Sequence, residues 1–174
     1  MLLIRHCESS GQHPDAPLTA RGLEQAEELA QRLAPLAPDH LVSSPYRRAH
    51  QSVAPLAAML GVAVTTDARW RERQLGDAPL DDWRGAVRDS FDDLDRVLPG
   101  GESSRAAQAR ARAALDALLT APHRLPAVAT HGNLLALLLT SIDGQFGYAG
   151  WESLTNPDVY AVEFTDRGWR YRRL

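Results

Sequence analysis

Lysine is missing from this 174-residue sequence, and its nineteen cations are all arginine. A single cysteine, Cys7, excludes an intramolecular disulfide framework and any multi-cysteine zinc site. No His-x-x-x-His pair or carboxylate cluster is present, so a zinc hydrolase is not expected. Long apolar runs are also lacking. The longest clean one, Leu134 to Leu139, is far short of the ~20 residues that a membrane span needs. The stretch Met1-Leu2-Leu3-Ile4-Arg5-His6 is too short for a signal h-region. Excess positive charge is absent too: the net charge is −3, which removes the general electrostatic case for nucleic-acid binding. The expectation is a soluble, cytoplasmic protein with no nucleic-acid or membrane partner.

What is present is ordinary globular material, 44% hydrophobic and 24% charged. A chain of this length buries roughly 70% of its extended surface, enough for one core without metals or disulfides. No repeat or linker divides residues 1–174, so a single domain is expected.

Short apolar runs alternate with helical spacing. Leu2 to Ile4, His40 to Val42, Val62 to Thr66 and Ala127 to Thr130 read as strands. Leu23, Ala26, Leu29, Ala30 and Leu33 space as a helix with Thr19 as N-cap. Ala49, Val53, Leu56 and Met59 space as another that Gly61 ends, and Pro55 predicts a kink or break inside it. An Ala- and Arg-rich helix follows Ser103 or Ser104, and Leu134 to Ile142 reads as a buried one. The end reads as an antiparallel hairpin turning at Thr165-Asp166-Arg167-Gly168. This alternation predicts a three-layer α/β/α sandwich, a mixed and mostly parallel sheet with helices on both faces. Residues 77–100 break the rhythm. Trp83, Val87, Phe91, Leu94 and Leu98 recur at helical spacing opposite an Asp-rich face, which predicts a small helical cap insertion.

In open α/β sheets, ligands collect beyond the carboxyl ends of the strands. Those ends carry Arg5-His6, then Ser43-Ser44-Pro45-Tyr46-Arg47-Arg48, then Arg69-Trp70-Arg71-Glu72, then His131-Gly132-Asn133. Converging arginines suggest an oxyanion, because the guanidinium fork matches phosphate oxygens. A lone histidine at a strand end is usually a polar surface residue. The joint placement is what carries the argument.

These segments resemble the histidine phosphatase superfamily, the phosphoglycerate-mutase-like fold. Arg5-His6-Cys7-Glu8-Ser9 resembles its Arg-His-Gly signature. Residues 15–26, Asp-Ala-Pro-Leu-Thr-Ala-Arg-Gly-Leu-Glu-Gln-Ala, are similar to its Asp-x-Pro-Leu-Thr-x-x-Gly-x-x-Gln-Ala segment. Ser43 to Ala49 resembles Ser-Ser-Pro-Leu-x-Arg-Ala, and Glu72 with Gly76 its Glu-x-x-x-Gly step. Pro99-Gly100-Gly101-Glu102-Ser103 and His131-Gly132-Asn133 complete a set that runs in family order.

The resemblance implies a phosphomonoester phosphatase that uses no metal or cofactor. His6 would attack phosphorus, Arg5, Arg48 and His131 would hold the phosphoryl charge, and Glu72 would be the acid and base. Ser9, Gln12, Gly132 and Asn133 would line the phosphate or substrate site. Glu102 and Ser103 would either touch substrate or form a turn and an N-cap. Trp83 and Phe91, on the inserted helix, would set selectivity. The chain departs from the family pattern at Cys7, where Gly is usual, and at Gln12, where many members have Asn. A small residue in extended backbone fits at Cys7, and a buried structural thiol is the simpler reading. The register of the match selects Arg48 over Arg47. Phosphoglycerate mutase-type transfer, protein phosphohistidine hydrolysis and non-catalytic phosphate binding are the alternatives. The substrate is a small phosphomonoester, and nothing in the sequence sets an oligomeric state.

Overall fold

A computed structural model describes residues 1–77, 80–166 and 168–174. Within the expected insertion, 78 and 79 lie outside the described residues, as does Arg167 of the expected hairpin turn. The element order is β1 (Leu2–Arg5), α1 (Ala20–Leu33), β2 (His40–Ser43), α2 (Arg47–Leu60), β3 (Val64–Thr66), α3 (Trp83–Asp92), α4 (Ser104–Thr120), β4 (Pro126–Thr130), α5 (Gly132–Ile142), α6 (Gly147–Glu152), β5 (Asp158–Thr165) and β6 (Gly168–Arg173). The strands form one sheet in the order β3-β2-β4-β1-β5-β6. Its first four strands run parallel, and β5 and β6 run antiparallel to their neighbours.

Side chains of β1 alternate between two cores, as a strand buried on both faces requires. Leu2 and Ile4 pack with Leu29, Leu33, Val53 and Leu56 of α1 and α2. Leu3 packs on the other face with Ala111 and Leu115 of α4 and with Leu134 to Leu139 of α5. The three-layer sandwich follows from this alternation. Helix α5 is buried from Gly132 through Leu139, which explains why its sequence shows no polar face. The two sheet edges differ from the middle. β3 has three residues, and β6 carries Arg170, Arg172 and Arg173.

Two helices depart from expectation. Pro55 lies inside α2, yet the helix runs unbroken from Arg47 to Leu60. Burial of Val53 and Leu56 against α1 holds the turns on either side of the proline, and tertiary packing overrides local propensity. Helix α3 covers only Trp83–Asp92, so Leu94 and Leu98 fall beyond it. The chain there is held by other bonds: Arg105 N donates to the Leu94 carbonyl, and Ser104 Oγ to the Ser90 carbonyl. The six-residue α6 had no apolar period to announce it.

Thr19 caps α1, its Oγ accepting from Gly22 N at 2.9 Å. The same residue donates its hydroxyl to Glu8 Oε1 and its amide to the Glu8 carbonyl. This draws the loop after β1 against the first turn of α1. A Cβ on Gly22 would stand 2.0 Å from the Glu8 carbonyl oxygen. In an open helix, Gly→Ala stabilises by about 1 kcal/mol. Here the clash is with backbone, and the sign reverses. Gly22→Ala should destabilise by about 2 kcal/mol, measured by denaturant unfolding. A stabilised variant would show that the loop does not rest on α1.

Candidate active site

The sheet register places the site. β4 pairs with β1 and β2 so that Thr130 lies beside Arg5 and Ala129 beside Ser43. All three strands therefore end at one level. His6 N donates to the Thr130 carbonyl and Ser44 N to the Ala129 carbonyl. His6, Ser44 and His131 leave the sheet side by side, and a cleft of about 700 Å³ opens above them.

His6 is 6% exposed. Its Nδ1 lies 2.6 Å from the Cys7 carbonyl, which can only accept, so Nδ1 carries the proton. Nε2 then holds a lone pair, and Arg48 Nε donates to it at 3.2 Å. Burial, and then the charges of Arg48 and Arg5, lower the pKa to about 3 against the opposing pull of the Cys7 carbonyl. The ring is neutral at pH 7. Asn156 Nδ2 donates to the His6 carbonyl at 2.6 Å and fixes the backbone there.

The two arginines that flank His6 make no ion pair among the described residues. Arg48 is fully buried, and its Nη1 donates to the carbonyls of Gln12 and His13. Arg5 Nη1 donates to the carbonyls of Leu154 and Thr155, and its Nε is buried with no partner. Burial, the largest effect, lowers the pKa of both guanidiniums, and Glu72 opposes it in each case. A Cβ on Gly132 would come 3.1 Å from Arg5 Nε, so glycine lets Arg5 lie against the start of α5.

His131 is wholly buried, its ring edge-on to His6 with centroids 5.2 Å apart. Its Nε2 pairs with Ser44 Oγ at 2.7 Å, while Nδ1 has no partner. Burial and the adjacent His6 push its pKa well below the usual histidine value. Both polar atoms of the Asn133 side chain are likewise buried without partners. Glu72 sits on the N-terminus of α5, where Asn133 N and Leu134 N donate to its two oxygens at 3.0 and 2.9 Å. It also accepts from Arg73 N at 2.9 Å. The carboxylate thus caps α5, whose N-cap residue His131 supplies no side-chain cap of its own.

The cleft brings together Arg5, His6, Ser9, Gln12, Arg48, Glu72, Trp83, Gly132 and Asn133. It leaves out four of the residues singled out in the sequence. His131 lies behind His6, beneath the cleft surface. Glu102 is held by Arg110 in a two-pronged ion pair at 2.7 and 2.8 Å. Burial favours its neutral form, but the Arg110 bonds outweigh it and keep the pKa low. Ser103 caps α4, accepting from Ala106 N. Phe91 packs on the core and against Tyr148 rather than into the cleft. Arg47 is exposed, whereas Arg48 lines the cleft. Cys7 is fully buried, has no positive φ, and donates its amide to Ser52 Oγ. Burial raises its thiol to about 11, so it stays protonated.

Sequence reasoning missed Asn156, Arg73 and Trp151, which all line the cleft. Arg73 is 5% exposed and spans from the Glu102 carbonyl to Ser90 Oγ. Its neighbour Glu72 drew attention away from it, and no periodicity marks Asn156 or Trp151. Among the described residues, no group of three or more His, Cys, Asp or Glu could hold a metal ion. No described helix is long and apolar enough to cross a membrane.

A neutral imidazole beside guanidiniums that make no ion pair among the described residues, at the carboxyl end of an α/β sheet, is an arrangement suited to an oxyanion. The profile of the histidine phosphatase superfamily (branch 1) matches residues 1–174, and the chain belongs to that family. It is 30% identical to a "probable phosphoglycerate mutase GpmB" of Proteus mirabilis, over 96% of this chain and 86% of that protein. Among solved structures it is similar to a mycobacterial glucosyl-3-phosphoglycerate phosphatase bound to inorganic phosphate, with 26% identity and a TM-score of 0.77 over 99% of this chain and 94% of the other. An α-ribazole phosphatase from Shigella flexneri, at 21% identity and a TM-score of 0.76, covers 100% of this chain and 96% of its own. That likeness shows the fold.

The buried, neutral His6 makes stability depend on pH. In the unfolded chain histidine takes up a proton near 6.5, but the folded site resists it until about 3. The contribution is therefore intact above pH 6.5 and lost progressively as pH falls from there towards 3. His6→Ala removes this load. The melting temperature of His6→Ala minus that of wild type should rise from pH 7 to pH 4 in scanning calorimetry. A gap that stays constant with pH would show that burial does not hold His6 neutral.

Proposed function

We propose that this chain is a phosphomonoester phosphatase that works through a phosphohistidine on His6 and needs no metal. One observation carries the reading. The Cys7 carbonyl locks the proton on Nδ1, and this presents the Nε2 lone pair between Arg5 and Arg48. In the proposed reaction Nε2 attacks phosphorus, and the P–O bond to the alcohol breaks. Arg5 and Arg48 then stabilise the charge on the equatorial oxygens of a loose transition state. Arg48 Nε exchanges Nε2 for a phosphate oxygen as phosphorus arrives. The unpartnered Asn133 amide lines the cleft and is suited to contact the phosphate or its ester oxygen, while the wholly buried His131 Nδ1 would have to be uncovered to do so.

Glu72 is the proposed acid and base. In the free structure its oxygens take up the first amides of α5, and an incoming phosphate competes for the same positive helix end. Displacement from that end frees the carboxylate, which takes up a proton from solvent or from a monoprotonated phosphoryl group and passes it to the leaving alkoxide. It then takes a proton from the water that hydrolyses phosphohistidine, which releases phosphate and restores His6. Residues 1–174 act in this reading as a single domain, with 77–100 as a small cap.

Hydrolysis is favoured over transfer by the cap itself. Its described residues hold one ten-residue helix, and Trp83 at the cleft is 45% exposed, which supports access of water to the site. The mycobacterial relative named a phosphatase agrees with this. The relative named a probable mutase keeps phosphoglycerate transfer as the second reading.

Acid-sensitive, alkali-stable phosphate should appear on the protein during turnover of a phosphomonoester, and His6→Ala should abolish it. Turnover should persist in EDTA. Equal labelling of the mutant, or activity that a divalent ion must restore, would overturn the reading.

Adjacent arginines give a second test. A charge-assisted contact that strengthens in the transition state is worth roughly 2–4 kcal/mol, or tens to hundreds of fold in rate. Arg48→Ala should lose that much in kcat/KM, whereas Arg47→Ala, exposed and outside the cleft, should stay within about threefold of wild type. Equal losses would show that the register of the second strand end does not select Arg48.

A further inference from the structure

The cleft has two zones of opposite character. Around His6 it is polar and cationic. Further out, its wall is hydrocarbon and indole: Leu75, Leu80, Val87, Trp83 and Trp151. The two indoles come from different helices, α3 and α6, and meet edge to face with centroids 5.9 Å apart at 84°. Phe91 and Tyr148, on the same pair of helices, make a second edge-to-face contact at 6.3 Å. That contact sets the spacing of α3 and α6, and so shapes the corner that Trp83 and Trp151 form.

Charge is distributed as unevenly. The basic side chains that line the cleft are Arg5, Arg48 and Arg73. The first two flank His6. Arg73 is 5% exposed, and two of its nitrogens are already used by the Glu102 carbonyl and Ser90 Oγ. Arg84 and Arg88 lie over the rings of Trp83 and Tyr148, outside the lining. The lining also carries Glu8 and Glu72. Among the described residues, the lining offers no cation beyond the pair at His6 except the nine-tenths buried Arg73, of whose nitrogens Nη2 alone is uncommitted. Besides Glu8, Ser9, Gln12, Asn133 and Asn156, the lining offers Gln74 as a partner for hydroxyls, and any hydroxyl seated against the indoles would lose its water on entry.

We propose that the alcohol half of the substrate is uncharged and carries an aromatic ring, seated in the corner of Trp83 and Trp151 while its phosphate sits over His6. An aromatic ring there gains both offset stacking and edge contacts. The inference rests on the phosphatase reading above and adds the class of leaving group. It predicts discrimination against phosphoglycerates, whose carboxylate would face hydrocarbon.

Ethyl phosphate, 2-phenylethyl phosphate, glucose 6-phosphate and 3-phosphoglycerate separate the possibilities. They share an alkoxide leaving group, so the ring is tested apart from leaving-group acidity. The kcat/KM for 2-phenylethyl phosphate should exceed each of the others by about tenfold or more. Trp83→Leu and Trp151→Leu should each cut the preference for 2-phenylethyl over ethyl phosphate by about fivefold. Melting temperatures of the two variants verify the fold, and the paired substrates in one protein sample cancel any loss of folded material. If ethyl phosphate labels His6 and the ring brings no gain, the ring site is wrong and the phosphatase reading stands. A preference for glucose 6-phosphate or 3-phosphoglycerate also overturns the ring site. If none of the four labels His6, the phosphatase reading falls and the inference falls with it.

Discussion

Two guanidiniums that make no ion pair among the described residues, Arg48 fully buried and Arg5 half-buried, govern this structure. Burying a cation costs several kcal/mol unless nearby groups offset it. Arg48 is offset by backbone carbonyls of residues 12 and 13 and by the lone pair of His6. Arg5 is offset by the carbonyls of residues 154 and 155. Carbonyl dipoles recruited from two distant loops thus do part of the work of counterions. Burial first, and then the charges of the two arginines, keep the His6 imidazole unprotonated. The same charges attract an anion, so in the proposed reaction they would prepare both the nucleophile and its target.

Glu72 is the negative side of that balance. The one carboxylate that faces both arginines also stops α5 from ending in unsatisfied amides. A helix N-terminus stabilises negative charge by about 0.3–1 kcal/mol at an exposed site. A dianionic phosphate makes a stronger claim on the same end. The free state is therefore held together by a group that the proposed reaction needs elsewhere. Gly132 permits this crowding, since a larger residue would press on Arg5.

Much of the fold was legible because strand and helix periods differ. Leu2 and Ile4 against Leu3 mark a strand buried on both faces, and Leu29, Ala30 and Leu33 against Gln31 and Arg32 mark a helix with one buried face. The ordered motifs marked where strands end, so His6, Arg48 and Glu72 were found from sequence, and the structure gathers them into one cleft with Arg5 and Asn133. Illegible parts were those fixed by long-range contact. Pro55 stays helical because of α1. Glu102, which the sequence leaves open between substrate contact and a turn, is held by Arg110. Phe91 shares its period with Trp83, but the two side chains diverge, one to the core and one to the cleft. Asn156 and Trp151 come from a segment with no pattern, and only the return of β5 beside β1 brings that segment to the site.

The two margins of the sheet bear on how these molecules behave when crowded. An exposed strand is a template on which another chain can add hydrogen bonds, and long flat apolar margins invite stacking into aggregates. Here one margin is the three-residue β3, too brief to register a partner. At the other, β6 bears Arg170, Arg172 and Arg173. Arg170 pairs with Glu163 and Arg173 with Asp158 of β5, so among the described ion pairs Arg172 is left uncompensated at this margin. Two such margins approaching each other would set that charge against its like, and salt would screen the repulsion over about 10 Å at 0.1 M. The ion pairs tie β6 to the sheet while one remaining arginine discourages a further strand, a task separate from that of the arginines at the centre.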